Sequence, residues 1–283
     1  MEMAMGLDAV RQRVGASLFE RVAGPDGPAT RDRIDTTPGP RWFAEDSAIR
    51  RVHSDASMFV GGLRALLLQS LHPLAMAAVA GHSGYRSDPW GRLQRTSTFL
   101  AMTTFGTAQH AEEAIAHVRA VHERIRGTAP DGRPYQAGDP HLLGWVHAAE
   151  IDSFLRCYQR YGPKPLNGAE CDAYVTDTAR IAEGLGVLGP PRSRAELNAV
   201  LDAYRPELRG TAQARDTARF LLFKPPLPLL ARAPYAALAS AAVAALPPWT
   251  RWPLRLPYFP PVERTAVQLA GHGIVGLLRW AMT

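Results

Sequence analysis

Three short clusters hold the residues of this chain best suited to chemistry. Gly91-Arg92-Leu93-Gln94-Arg95-Thr96 brings two cations and a hydroxyl. The stretch from His122 to Gly127 brings an imidazole and Arg126, and Trp145-Val146-His147 brings a second imidazole. Each cluster lies in a segment whose other positions are largely apolar and helically spaced. A polar group buried there without a partner costs roughly 1–3 kcal/mol. A buried cofactor with an apolar body and anionic arms would supply the missing partners, and haem has that construction.

His122 sits in the stripe Ile115, Val118, His122, Ile125, whose three-four-three spacing follows one face of a helix. Two readings of it stand side by side. It is a core histidine satisfied by a backbone carbonyl, or it is a metal ligand that uses its second nitrogen for an orienting hydrogen bond. Arg126, one turn on and expected on the same face, favours the second, because a guanidinium there suits a carboxylate such as a haem propionate. Arg92 and Thr96 repeat the i, i+4 geometry on the preceding helix, with Arg95 beside them. A solvated helix start is the alternative, but Phe99, Leu100, Met102 and Phe105 continue that segment as an expected buried face. His147 precedes Ile151, Phe154 and Leu155, so it is either a satisfied core histidine or an inward-facing functional one.

Almost every element that must position these residues reads as helix. Leu7, Val10, Val14, Leu18 and Val22 recur every three or four residues, and residues 25–40 read as a Gly/Pro/Asp-rich connector. A helix is expected from about Asp46 to Leu71, with a kink or restart at His72-Pro73. Further helices are expected over 92–105, 107–125, 141–161, 171–185 and 193–205. Thr107 is placed as an N-cap, Gly127 beyond a C-terminus, and Ser193-Arg-Ala-Glu196 as a capping box. The fold class is all-α: an N-terminal helix and connector over 1–40, then one helical domain over 41–283 with its motifs in 42–161 and a Pro-rich helical region after them.

Composition narrows the function classes. With 46% hydrophobic residues in 283, the chain can bury a substantial core without staples, and two cysteines make no disulfide framework. Residues 205–264 hold nine Lys/Arg against three Asp/Glu, a surplus equal to the net +6 of the whole chain. Such a basic, proline-broken region is either a solvated face or a contact for an anionic membrane. No nucleic-acid recognition motif accompanies it. Residues 63–80 and 236–246 are too interrupted or too short to span a bilayer. The first residues lack a basic stretch followed by an apolar one, so cytoplasmic residence is the expectation, with peripheral membrane contact through the basic region beside it. Paired Glu-x-x-His motifs, His-Glu-x-x-His, Gly-x-Ser-x-Gly and the P-loop are all absent, which removes di-iron, zinc-protease, serine-hydrolase and P-loop readings. His110 and His117 read as a solvated pair.

Taken in order, Gly61-Gly-Leu-Arg64 through Gln69-Ser-Leu-His72-Pro73, Gly91-Arg92 with Thr96, Phe105-Gly106, His122 with Arg126-Gly127, Tyr135 before Asp139-Pro140, and Trp145-Val146-His147 resemble the MpaB-type oxygenase family, which includes the catalytic domain of rubber oxygenases. The resemblance covers residues 42–161 well and the C-terminal part loosely. It implies a partly globin-like helical core holding haem b, O2 as co-substrate, and oxidative cleavage of a carbon–carbon double bond in an apolar, isoprenoid- or lipid-like molecule. By the family pattern His122 matches the axial iron ligand and Arg126 its basic companion. Arg92 and Thr96 match an Arg-x-x-x-Thr signature, with Arg92 a partner for a propionate and Thr96 a distal-side hydrogen-bond donor. His147 is a lesser candidate around the cofactor. Arg95 stands where rubber oxygenases carry a lysine, and a permanently charged guanidinium is a poor iron ligand. Met76 stands where they carry a glutamate, so rubber cleavage itself is not among the implications. Two further readings share these residues: a haem carrier or sensor without turnover, and a haem-free helical module that binds lipid surfaces.

Overall fold

The computed structural model describes residues 2–283, and the side chains of residues 2–5 and of Leu7 lie outside the described set. Helix α1 (Glu2–Ala23) opens the chain, and Val10 and Val14 of its expected stripe are more than a third exposed. The connector expected next is largely a helix, α2 (Gly27–Thr36), because Pro28 sits in its first turn, where no N–H is needed. The single helix expected over 46–71 is broken into α3 (Ala48–His53) and α4 (Ser57–Gln69). At the break the Asp55 carboxylate takes the Ser57 N–H at 2.9 Å and pairs with Arg279 at 2.8 Å, so a C-terminal side chain fixes a bend near the N-terminus. The expected restart at Pro73 is present: α5 (Pro73–His82) leaves α4 at 110°, with His72 as its N-cap.

Helix α6 (Pro89–Phe105) begins one turn earlier than the sequence suggests, because the Asp88 carboxylate accepts the Gly91 N–H. Thr107 caps α7 (Ala108–Arg124) as expected, in a capping box whose second member is His110. That role removes His110 from the solvated pair: its ring is buried and accepts a hydrogen bond from Arg33 at 3.1 Å, while His117 is exposed. After α7 the chain turns into a two-stranded antiparallel hairpin, β1 (Arg126–Thr128) and β2 (Pro134–Gln136), in the stretch expected to be turns.

The longest buried face belongs to α8 (Pro140–Tyr161), which lies along α4, with α9 (Gly168–Leu185) and α10 (Arg194–Tyr204) on its flank. Gly61 of α4 lets the two backbones meet, since a Cβ there would come within 2.8 Å of Phe154 Cδ1 and 3.2 Å of Phe154 Cα. A 3-10 turn, Arg205–Glu207, leads to α11 (Ala212–Phe223), α12 (Leu229–Ala245) and the short α13 (Arg251–Leu254). The last segment runs from α14 (Pro260–Val262) through a π turn into α15 (Gln268–Met282), which packs on α12 and α1. The fold is all-α apart from the small hairpin. No single helix among the described residues is long and apolar enough to cross a membrane. Cys157 and Cys171 are both free and buried.

Candidate functional site

Helices α3, α6, α7, α8 and α9 form one packed group: α3 lies on α6, α8 and α9, α7 on α6 and α9, and α8 on α9. His53, Arg92, Thr104, His122, His147, Glu150 and Tyr174 all come from this group. One thread is closed within the protein. His53 Nδ1 meets Thr104 Oγ1 at 2.8 Å and Nε2 meets the Tyr174 hydroxyl at 3.3 Å. Desolvation pushes this imidazole down to about 3, so it is neutral and serves as a hydrogen-bonded core group.

The other imidazoles have no such closure. His122 is half-buried, and its Nδ1 is buried without a hydrogen-bond partner among the described residues. Burial lowers its pKa and keeps a neutral ring with a free lone pair. His147 is also half-buried, its Nε2 is likewise unpartnered, and burial pushes it down to about 4. Arg92 is desolvated enough to lower its pKa, and among the described residues its guanidinium makes no hydrogen bond or ion pair. The two orphaned ring nitrogens and the unpaired Arg92 cation are the donor types that a bound group with an apolar body and anionic arms, such as a haem, would satisfy. A cleft of about 500 Å³ lies between α1, α2 and α6 and another of about 540 Å³ beside α7, and neither is lined by Arg92, His122 or His147.

Not every predicted position joins this group. Arg126 does not share a helix face with His122, because α7 stops at Arg124 and Ile125 turns extended. Arg126 lies on β1, exposed, and donates to the Glu123 carbonyl at 3.2 Å. Gly127 is paired with Tyr135 in the hairpin, and a Cβ there would come within 2.6 Å of the Tyr135 hydroxyl. The glycine therefore serves the close hairpin crossing and not the helix end, since α7 is capped two residues earlier at Ile125. Arg95 is exposed and pairs with Asp88 at 3.2 Å. The Thr96 hydroxyl donates back to the Arg92 carbonyl at 3.0 Å, tying the two signature residues through the backbone.

Glu150 escaped the reading of the sequence. It lies one turn beyond His147 on α8, half-buried, and burial pushes its carboxyl up to about 7. Burial pushes the Tyr174 hydroxyl well above its usual value, and the Glu150 and Asp152 carboxyls add to that. The available signal was an acidic residue inside the run Ala148-Ala149-Glu150-Ile151, directly after the Trp-Val-His motif.

A second polar cluster joins His72, His141 and Glu207. Glu207 accepts from His72 Nε2 at 3.3 Å and from His141 Nε2 at 2.9 Å. His72 has almost no exposed surface and stays neutral through burial, which outweighs the Glu207 carboxylate.

Comparison with known proteins agrees with the motif order. Residues 50–280 match the family described as ER-bound oxygenase mpaB/B'/rubber oxygenase, catalytic domain. Two uncharacterised proteins, one of Mycobacterium bovis and one of Mycobacterium tuberculosis, are each 34% identical over 100 residues. That stretch is 35% of this chain and 38% of each relative, so the match spans well under half of either mycobacterial protein. No solved structure matches the chain. With most of its length matched, the chain belongs to the mpaB/rubber oxygenase catalytic-domain family, a family of oxygenases.

Proposed function

We propose that this protein is a haem-dependent oxygenase that cleaves a carbon–carbon double bond of an apolar, isoprenoid- or lipid-like substrate. The observation that carries the reading is the set of unsatisfied groups within one packed helical group: the orphaned nitrogens of His122 on α7 and His147 on α8, and the Arg92 guanidinium of α6, which pairs with no described residue. His122 would ligate the iron, since burial lowers its pKa and favours the neutral ring. Arg92 would offer a cation for a propionate and His147 a neutral hydrogen-bonding ring, whereas Arg126, exposed on the hairpin and bonded to the Glu123 carbonyl, does not share that role. Haem b bound among them supplies the oxygen activation that these side chains lack.

The chain's own residues do the rest. Phe99 and Leu100 of α6 are partly buried and pack against the apolar core that α3, α8 and α9 share. Thr96 is exposed and holds its hydroxyl on the Arg92 carbonyl; rotation about χ1 would free it to donate to a bound molecule. Arg95 keeps its charge on the surface, paired with Asp88 at the start of α6. Glu150, half protonated near neutrality, can hold or accept a proton inside the helical group. Cleavage to two carbonyl products retains both atoms of O2, so the reaction balances without an external reductant.

The test is a visible absorption spectrum of the protein expressed with adequate iron and haem precursor, beside His122→Ala. A Soret band that is lost or shifted in the variant supports ligation by His122, and oxygen uptake with polyunsaturated isoprenoids separates turnover from a carrier or sensor role. Undiminished haem in His122→Ala overturns the assignment.

One observation favours a second property, contact with an anionic lipid surface from the cytoplasmic side. Leu230 is 94% exposed and Trp252 90%, and Phe223 and Phe259 are also exposed, close in sequence to Lys224, Arg232 and Arg255. Exposed aromatic and aliphatic side chains among cations are the composition that interfacial binding needs.

A further inference from the structure

We propose that His72, His141 and Glu207 form a binding site for one divalent transition-metal ion of the zinc type, separate from the residues assigned to haem. The three come from different parts of the chain: His72 caps α5, His141 lies in the first turn of α8, and Glu207 closes the 3-10 turn after α10. Their ligand atoms all lie within 4.8 Å of one another. Ligands at about 2.0–2.1 Å from a tetrahedral ion are roughly 3.3 Å apart, and His72 Nε2 is 3.3 Å from Glu207 Oε2. His141 Nε2 is 2.9 Å from both Glu207 oxygens, so a small opening of that pair admits the ion.

The nitrogens are held in place before any ion arrives. The buried His72 ring stands among Trp145 and Tyr204, with ring centres at 6.5 and 6.4 Å. The His141 ring lies over Tyr204 at 4.7 Å, and the Tyr204 hydroxyl donates to the His141 carbonyl at 2.7 Å. Asp139 fixes the backbone of the same turn by accepting the His141 N–H at 2.8 Å. Two imidazoles and one carboxylate suit zinc and its neighbours in the first transition row, not calcium or magnesium. Arg133 sends an opposing field into the cluster, which further disfavours an ion held by charge alone.

In the metal-free protein His72 Nδ1 accepts the Ala75 N–H at 3.4 Å, so the ring proton sits on Nε2 and faces Glu207. The ion takes the Nε2 lone pair, and the proton moves to Nδ1 as the long Ala75 contact gives way. The exposed sides of His141 and Glu207 leave room for water as a fourth ligand. Such an ion fastens the turn after α10 to the starts of α5 and α8.

The experiment uses the full chain stripped with a chelator and titrated with zinc by calorimetry, with thermal unfolding followed in parallel. One ion per chain and a raised unfolding midpoint are expected. His141→Ala and Glu207→Gln should each weaken binding at least about tenfold and remove the rise in midpoint. Both side chains are well exposed, so these changes spare the core, and unchanged far-ultraviolet circular dichroism checks that. No saturable binding by the parent overturns the proposal. So does equal affinity in parent and both variants, because the ion then sits on other histidines.

Discussion

At Glu150 the apolar face of α8 sets the chemistry of one carboxyl, and the consequence is a pH dependence of stability. Its folded pKa of about 7 lies above the ordinary 4.5. Below the unfolded value both states are protonated and nothing is lost. As pH rises from there, the unfolded chain gives up its proton while the folded protein keeps it, and stability falls until the folded pKa is passed. The full loss is roughly 3 kcal/mol. Thermal midpoints measured from pH 4.5 to 8 should therefore decline for the parent by several degrees more than for Glu150→Gln, which has no proton to lose. Parallel curves would remove Glu150 as a desolvated acid. His122, by contrast, was legible in the sequence, because a three-four-three stripe places an imidazole among Ile115, Val118 and Ile125 without knowledge of any other helix. Glu150 and His53 were not, since their states are set by burial under helices that arrive from elsewhere in the chain.

Between elements, the contact of α4 with α8 is fixed by a buried charge as well as by shape. Arg64, with no exposed surface, donates to Asp152 Oδ2 at 2.7 Å, to Ser153 Oγ at 2.5 Å and to the Ala245 carbonyl at 2.9 Å, so one guanidinium joins α4, α8 and α12. Asp152→Ala leaves that cation buried without a counter-charge, and removing one partner of such a pair costs roughly 3–5 kcal/mol. Denaturant unfolding should show a midpoint lowered accordingly with an unchanged slope, and a shift of under about 1 kcal/mol would mean that water reaches Arg64. The helices themselves were largely readable from their local signals. Thr107, Ser193 and Pro73 mark starts that the structure keeps, since caps and prolines act within one turn. The sequence misled where a remote group decided the outcome. Asp55 breaks the expected helix over 46–71 partly through Arg279, far along the chain. Arg126 leaves the face of His122 because pairing with Gln136 draws residues 126–128 into a hairpin. The Arg64–Asp152 contact has no local signature at all, only two charges in apolar runs.

Across the whole molecule the charge is asymmetric in a way that makes lipid contact measurable. The surplus of cations lies within residues 205–264, and the remainder of the chain is balanced, so no opposing net charge cancels it at a distance. The same region carries the exposed Leu230, Trp252 and Phe259. Each cation near an anionic surface contributes about 1 kcal/mol, and inserted apolar side chains add a part that salt does not weaken. The full chain should therefore float with vesicles containing phosphatidylserine at low ionic strength and largely leave them near 1 M salt, where the screening length is about 3 Å. Vesicles of phosphatidylcholine alone should retain little of it. Replacing Leu230 and Trp252 together by Ser should reduce flotation at every salt concentration, whereas Arg232→Gln with Arg255→Gln should reduce it mainly at low salt. That division follows from the physics of the two contributions, since only the electrostatic one is screened. Flotation equal on anionic and neutral vesicles would assign the contact to apolar insertion alone. A chain that stays in solution with both would leave these side chains as ordinary exposed surface and the basic stretch as a solvated face.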